Sequence, residues 1–108
     1  MILQENYISF EQFVQYFKKL RAKDKVWLIS LLYNTSSRNY FEITKDSQVI
    51  GIGSISKVEQ EIAFVIFRNF QRLGYGRQFI YYMMKEYPSS IFFISKFNKR
   101  SLNLFKSL

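Results

Sequence analysis

The sequence contains no cysteine and no histidine. Disulfide bonds, thiol chemistry, cysteine or histidine metal sites, serine triads and histidine acid/base steps are therefore excluded. No apolar run approaches the roughly 20 residues that a helix needs to cross a bilayer. The first five residues, MILQE, lack the basic start of a signal peptide. We therefore expect a cytoplasmic protein with no membrane partner.

Acidic residues are also scarce, with 8 Asp and Glu against 16 Lys and Arg, which gives a net charge of +8. Such a surface attracts anions, so nucleic acid, an acidic protein and a phosphorylated cofactor are candidate partners. The alternative is that a composition rich in lysine, asparagine, isoleucine and phenylalanine reflects an A/T-rich genome. In that case the positive charge need not serve any partner. The 108 residues suit one domain, 1–108, and the 48% hydrophobic content predicts a folded globule.

Apolar periodicity predicts two helices in the first third of the chain. Ser9 is a candidate N-cap for a helix over residues 10–20. A more uniformly apolar segment over residues 24–33 predicts a second, buried helix. A short strand over residues 1–4 is compatible with the start of the chain.

A change of period then predicts strands. Residues 45–47 separate two alternating segments, which is typical of a β-hairpin, and we expect Ile50, Ile52 and Ser54 to point to one face. Gly51 and Gly53 lie inside the second strand of this hairpin. Glycine weakens a strand unless another group approaches the backbone closely or the strand bends, so one of these two conditions is expected here.

The second half of the chain contains the most apolar strand and a helix that the single proline ends. Residues 61–67 are apolar on both faces, which predicts an interior strand. From Gly76 an apolar stripe predicts a helix that stops at Pro88. The members of that stripe are Phe79, Ile80, Met83, Met84 and Tyr87. A short strand over residues 91–94 and a last helix from Asn98 complete an α+β order of elements.

The stretch FQRLGYGRQF, residues 70–79, places Gly74 and Gly76 between the interior strand and the next helix. A strand that leads through a glycine-bearing turn into a helix presents unpaired backbone N–H groups at the positive end of the helix dipole, which is an anion site. Arg72 and Arg77 add positive charge. A tight turn without any ligand is the alternative for an isolated Gly-x-Gly.

The segment EIAFVIFRNFQRLGYGRQFIYYM, residues 61–83, resembles the acetyl-coenzyme A binding motif of the GNAT superfamily of N-acetyltransferases. That motif reads (Gln/Arg)-x-x-Gly-x-(Gly/Ala), and Gln71, Gly74 and Gly76 occupy its defining positions. The resemblance implies a GNAT-like central mixed, mostly antiparallel sheet flanked by helices, with acetyl-coenzyme A (acetyl-CoA) as cofactor and its pyrophosphate on the amides of residues 71–77. The cofactor-binding residues implied are Ile66, Phe67, Arg68, Gln71, Arg72, Leu73, Gly74, Tyr75, Gly76 and Arg77, with Asn98 and Ser101 in a segment similar to the family's next helix.

Two departures from the family pattern affect the chemistry. Phe105 stands where the family most often has a tyrosine that protonates the departing coenzyme A thiolate, and a phenyl ring has no proton to give. The sequence stops at Leu108, so we expect the last two family strands, which wall the acceptor site, to be absent.

The resemblance also suggests which residues take part in catalysis. Glu61 matches a position at which some family members have a glutamate that acts as general base through water; a solvated glutamate at a strand entrance is the alternative. A main-chain N–H near Ile66 or Phe67 is expected to hold the thioester carbonyl. Candidate replacement acids are Tyr75, Tyr81, Tyr82 and Tyr87. The sequence thus predicts transfer of acetyl to an amine of a small molecule or protein.

A second match points to RNA. Residues 63–67, AFVIF, fit the tail of the strand signature of RNA-recognition motifs, in which an exposed Phe64 would stack on bases. The preceding residues do not fit, because Gln60, Glu61 and Ile62 replace the basic residue, the glycine and the first aromatic of that signature.

A third interpretation keeps the GNAT-like fold without catalysis, as in a phage or mobile-element protein that binds a nucleic acid or an acidic protein through its basic surface. Its basic candidates are Lys18, Lys19, Arg21, Lys23 and Lys25. If the last strands are absent, the strand at 91–94 leaves an apolar edge open, and we expect a homodimer that covers this edge near Phe92 or Phe93.

Overall fold

The computed structural model of the chain describes residues 3–32, 37–58, 61–88 and 91–92. Five strands form one sheet in the order β1 (Leu3–Ile8), β2 (Arg38–Lys45), β3 (Gln48–Ser56), β4 (Glu61–Ile66) and β5 (Ile91–Phe92). The pairs from β1 to β4 are antiparallel, whereas β5 is parallel to β4. The predicted mixed, mostly antiparallel sheet is confirmed, and β4 is an interior strand as expected.

Helices cover both faces of this sheet. Helices α1 (Phe10–Lys18) and α2 (Ala22–Leu28) pack on one face, and α3 (Tyr75–Glu86) packs on the other. Successive side chains of a strand point to opposite faces of the sheet. Tyr40 therefore belongs to the core under α1, and the next residue, Phe41, belongs to the core under α3. The predicted N-cap of α1 is confirmed, since Ser9 Oγ accepts the amide of Gln12 at 3.1 Å.

The second helix is shorter and less buried than predicted. It ends at Leu28, and a 3₁₀ helix, Ile29–Leu32, follows it. Leu28 is fully buried, but Val26 is 74% exposed and Ile29 is 45% exposed. The prediction of a uniformly buried helix over 24–33 is wrong, because a helix on a sheet buries only the side chains that face the sheet.

The predicted hairpin is formed by β2 and β3. Asp46 and Ser47 connect the strands with φ of 51° and 66°, the left-handed conformation that two-residue hairpin turns require.

A β-bulge in the hairpin overturns one predicted side-chain orientation. Ile43 pairs with Gly51, while the residue after Ile43 pairs with Val49, so Ile50 is an extra residue in β3. Ile50 therefore packs in the core under α3, whereas Ile52 packs in the core under α1. The prediction that these two isoleucines share a face is wrong because the bulge interrupts the alternation.

The glycines of β3 are explained by close packing inside the protein. A Cβ on Gly53 would lie 2.6 Å from the main-chain oxygen of Ala63 and 2.8 Å from atoms of both Phe41 and Phe64. A Cβ on Gly51 would likewise collide with the main-chain oxygen of Val65. The close approach expected from the sequence is thus made by β4 and by the ring of Phe41.

Phe64 rules out the RNA-recognition interpretation. Its ring packs edge-on against Phe79 of α3, with 4.8 Å between ring centroids. An aromatic residue that is half-buried beneath a helix is not presented to bases, so this interpretation is wrong.

Helix α3 lies where the sequence predicts it, after the second glycine-bearing segment and before Pro88. Phe79, Ile80 and Met83 are buried, but Met84 is 47% exposed, so the prediction that Met84 belongs to the buried stripe is wrong.

Strand β1 is longer than expected and reaches Ile8. Within the described ranges, no helix has the length and apolar character needed to span a membrane.

Several predictions fall outside the described residues. These are the end of the strand at 93–94, the helix from Asn98 with Ser101 and Phe105, the absence of the last two family strands, and the side chains of Phe92 and Phe93 at the expected dimer edge. The single domain and the homodimer also stay predictions.

Candidate functional site

The turn between β4 and α3 has an unusual backbone. It contains a 3₁₀ helix, Arg68–Phe70, and ends at Gly74, the N-cap of α3. The dihedral φ is positive at Arg72 (66°) and at Gly74 (84°), but not at Leu73 or at Tyr75. Consecutive residues with φ of opposite sign turn their N–H groups toward one side, which is the backbone arrangement of anion-binding nests.

The amides at the start of α3 are available for a ligand. Within the described residues, the N–H groups of Gly74, Tyr75 and Gly76 donate to no acceptor. The first hydrogen bond of the helix is donated by the N–H of Gln78 to the oxygen of Gly74 at 3.1 Å. A Cβ on Gly74 would meet only Gln78 Nε2, at 3.9 Å, in the described part of the chain. Among the described residues, therefore, nothing covers the positive end of α3 beside Gly74.

The charges around this turn are positive. Arg68, Arg72 and Arg77 are exposed, and the sequence contains no Asp or Glu between residues 62 and 85. The helix dipole and these guanidinium groups have the same sign, so both favour an anion at the turn. A diphosphate fits such a site because it offers several oxygens to several donors.

The side chain of Gln71 points back into the protein. Its Nε2 donates to the main-chain oxygen of Ile66 at 2.8 Å, and its Oε1 accepts from Arg21 Nη2 at 2.9 Å. Gln71 therefore fixes the turn to the end of β4. Its side-chain amide is occupied by these two bonds, and its main-chain N–H donates to the oxygen of Arg68 at 3.3 Å, so the prediction that Gln71 donates to the pyrophosphate is wrong.

Only one of the two proposed thioester-binding amides is suitably oriented. The amide of Phe67 donates to the main-chain oxygen of Ile50 at 2.8 Å. Phe67 is therefore wrong as a thioester donor, because its N–H is already used. Amides alternate in direction along a strand, so the N–H of Ile66 points away from β3 and toward the side on which β5 pairs with β4.

Tyr75 lies at the hairpin end of the sheet. Its hydroxyl accepts a hydrogen bond from Lys45 Nζ at 2.5 Å, and Lys45 is the last residue of β2. Nothing in the sequence around Lys45 indicated this contact. Tyr75 thus lies beside the turn of residues 67–74, the candidate anion-binding turn, and its hydroxyl is fixed by the Lys45 ammonium.

Glu61 lies at the other end of β4. Its carboxylate is 3.6 Å from Arg38 Nη1, and Arg38 Nε donates to Ser54 Oγ at 2.5 Å. Ile66 is five residues further along the strand than Glu61, a distance of about 16 Å. The structure therefore does not bring the two predicted catalytic residues, Glu61 and Tyr75, together.

The other predicted acids are engaged elsewhere or exposed. Tyr87 donates to Glu5 Oε1 at 2.8 Å, and its hydroxyl lies 2.7 Å from that of Tyr7 on β1, the strand at the far edge of the sheet from β5. Burial raises the pKa of both Tyr82 and Tyr87. Tyr81 is 53% exposed on α3. We therefore assign no acid role to these three tyrosines.

Sequence reasoning missed a carboxyl group in this cluster. Glu5 Oε2 is buried and has no hydrogen-bond partner within the described residues. Desolvation raises the pKa of Glu5, against the opposing effect of the hydrogen bond from Tyr87. A polar residue in an alternating edge strand carries no sequence signal of such burial.

A second unpredicted pair lies on the face covered by α1. The Tyr16 hydroxyl donates to Glu42 Oε2, and this bond raises the pKa of Tyr16 to about 12. The Tyr16 ring also lies 5.8 Å from that of Phe67, between ring centroids. This pair ties α1 to β2 near the end of β4.

Comparison with known proteins identifies the family of the chain. Residues 7–108 match the Acetyltransferase (GNAT) family, so the chain belongs to the GNAT family of acetyltransferases. No curated protein matches the chain by sequence.

Solved structures share the fold at low sequence identity. The N-acetyltransferase PseH of Campylobacter jejuni, in complex with acetyl coenzyme A, is 15% identical with a TM-score of 0.58, over 98% of this chain and 86% of that chain. The enzyme AAC(6')-Iy, in complex with the bisubstrate analog CoA-S-monomethyl-acetylneamine, is 14% identical with a TM-score of 0.56, over 99% and 89%. An aminoglycoside acetyltransferase from an uncultured soil metagenomic sample is 16% identical with a TM-score of 0.57, over 97% and 86%.

Proposed function

We propose that the chain binds acetyl-CoA through the main-chain N–H groups of Gly74, Tyr75 and Gly76 and transfers the acetyl group to an amine. The observation that carries this proposal is the alternation of φ from Arg72 to Tyr75, with open space beside Gly74. Membership of the GNAT family supports the reaction class. The complexes of PseH with acetyl coenzyme A and of AAC(6')-Iy with a bisubstrate analog support the ligand.

The residues present fit this cofactor. The amides of Gly74, Tyr75 and Gly76 would donate to the pyrophosphate, and the absence of a Cβ at Gly74 leaves room for it. The exposed guanidinium groups of Arg68 and Arg72 would add long-range attraction. When bound, the cofactor supplies the acetyl group as a thioester, which is already activated toward amines.

Two groups of the chain would act on the reacting atoms. The N–H of Ile66, directed to the β5 side of β4, would donate to the carbonyl oxygen of the acetyl group and stabilise the negative charge that develops there. The carboxylate of Glu61, held by Arg38, would accept a proton from the amine through a chain of water molecules, because it lies about 16 Å along the strand from Ile66. The ordinary pKa of a cysteine thiol is about 8.5, and a thiolate of this kind is a good enough leaving group to depart without a tyrosine acid.

One assay distinguishes this enzymatic function from the alternative, a binding module with the same fold and no catalytic activity. Release of free thiol from acetyl-CoA is followed with a panel of amines: a polyamine, an aminoglycoside, a peptide with a free N-terminus and a lysine peptide with a blocked one. We expect release above the amine-free control with at least one of them. Binding of acetyl-CoA without release for any amine class would contradict the enzymatic proposal.

A further inference from the structure

Arg21 connects the segment between α1 and α2 to the candidate site. Its Nη2 donates to Gln71 Oε1 at 2.9 Å, and its Nε donates to Asp24 Oδ2 at 3.0 Å. Asp24 is buried, with 5% of its surface exposed. The guanidinium is therefore anchored to buried Asp24 through Nε and holds Gln71, the first residue of the motif, through Nη2.

Gln71 extends this connection to β4. Its Nε2 donates to the main-chain oxygen of Ile66 at 2.8 Å. The same peptide group donates its N–H, that of Phe67, to the oxygen of Ile50 at 2.8 Å. The last peptide group of β4 is thus hydrogen-bonded on both sides, and the N–H of Ile66 belongs to the peptide group just before it. A displacement of Gln71 would move both the Ile66 amide and the start of the anion-binding turn.

We propose that Arg21 is a positioning residue of the acetyl-CoA site, which acts through Gln71 on the end of β4 and on the turn. The inference rests on the proposed function. It adds to the acetyl-CoA site a residue from the face of the sheet covered by α1 and α2, opposite to the face covered by α3. Hydrogen bonds that involve a charged group are about twice as strong as neutral ones, so the Arg21 to Gln71 bond restricts the Gln71 side chain effectively. Arg21 itself does not touch the cofactor.

Calorimetric titration with acetyl-CoA tests the effect of Arg21. Arg21→Met removes both hydrogen bonds and keeps the aliphatic stem, while Lys23→Met removes the same charge from an exposed position of α2. We expect Arg21→Met to raise Kd about tenfold. Lys23→Met is expected to change Kd by less than about twofold, because loss of long-range charge alone is screened. An equal effect of the two variants would overturn the proposal.

A double-mutant cycle with Gln71→Met separates positioning from simple stabilisation of α2. Because Arg21 acts through Gln71, Arg21→Met should change Kd by less than about twofold in the Gln71→Met background. If Arg21→Met weakens binding by the same factor in both backgrounds, Arg21 acts only through Asp24 and the proposal is wrong. If Arg21→Met does not fold, Arg21→Lys replaces it, since one ammonium keeps a cation beside Asp24 but cannot reproduce both guanidinium bonds.

The outcomes distinguish this inference from the proposed function. A wild-type protein that does not bind acetyl-CoA contradicts both. Binding by the wild type with additive effects in the cycle contradicts only the role of Arg21.

Discussion

Arg38 Nη1 lies 3.6 Å from Glu61 Oε1, so the first residue of β2 holds the first residue of β4 across the intervening β3. The side chain of Arg38 is only 11% exposed and that of Glu61 is 31% exposed. Glu61 therefore has a fixed orientation while its carboxylate still reaches solvent, which is the combination that a base acting through water requires.

Glu61→Gln tests this base. Glutamine keeps an oxygen for Arg38 but cannot take up a proton, so we expect acetyl transfer to fall by about 100-fold or more. The Kd of acetyl-CoA should stay within about twofold, because Glu61 lies far from the anion-binding turn. Thiol release and calorimetry measure the two quantities. Glu42→Gln, on the same face of the sheet, is the control and should keep most of the rate; full activity of Glu61→Gln would exclude the base.

Gly53→Ala tests the packing of the central strands. A methyl group at this position collides with the main chain of β4, with the ring of Phe41 and with the Cβ of Phe64, and such overpacking should lower the free energy of unfolding by at least about 2 kcal/mol. Urea unfolding measures the change. The matched control is Gly76→Ala in the first turn of α3, where alanine is the better helix former and should be neutral or stabilising. Equal stability of Gly53→Ala and wild type would contradict the packing of β3 against β4.

Tyr16→Phe tests the connection between α1 and β2. The variant loses the hydrogen bond to Glu42, a bond to a charged acceptor, and should lower the free energy of unfolding by about 1–2 kcal/mol. Tyr81→Phe removes a hydroxyl from an exposed position of α3 and should leave stability unchanged. Denaturant unfolding of both variants measures the difference, and a neutral Tyr16→Phe would contradict the bond.

Glu5 makes stability depend on pH in a defined direction. Desolvation raises its pKa above the ordinary 4.5, so the folded chain binds this proton more tightly than the unfolded chain does. Its contribution to stability is full below pH 4.5 and is lost as the pH rises through the raised value. Glu5→Gln removes this loss, so its Tm should exceed that of wild type at neutral pH and match it in acid.

Calorimetric melting over a pH series checks the Glu5 prediction. Glu11→Gln, an exposed glutamate in the first turn of α1, is the control and should give no such rise in Tm. A Tm difference between Glu5→Gln and wild type that is independent of pH would show that the effect is not a titration of Glu5.

The order of elements could be predicted because its signals are local. Ser9 precedes the first helical period, Pro88 follows the last turn of α3, and Gly74 supplies the positive φ that the turn needs. The motif of Gln71, Gly74 and Gly76 also consists of residues close together in the sequence. Both the turn and the GNAT family could therefore be predicted.

The contacts within the site could not be predicted, because they join distant parts of the chain. Arg21 and Gln71 are 50 residues apart, and Lys45 and Tyr75 are 30 residues apart. The β-bulge at Ile50 depends on the register between β2 and β3, which the alternation of apolar and polar residues does not reveal. Such pairings follow from the packed sheet and not from any local pattern.

The central claim is that the amides of the turn hold the diphosphate of acetyl-CoA, and a charge pair at Gly74 tests it most directly. Asparagine and aspartate both tolerate the left-handed conformation that Gly74 adopts, and they have nearly the same shape. Calorimetric titration with acetyl-CoA at fixed salt compares wild type, Gly74→Asn and Gly74→Asp. We predict that wild type binds and that Gly74→Asp binds at least about tenfold more weakly than Gly74→Asn, because its carboxylate repels the diphosphate. Equal affinity of the two variants, or no binding by the wild type, would contradict the account.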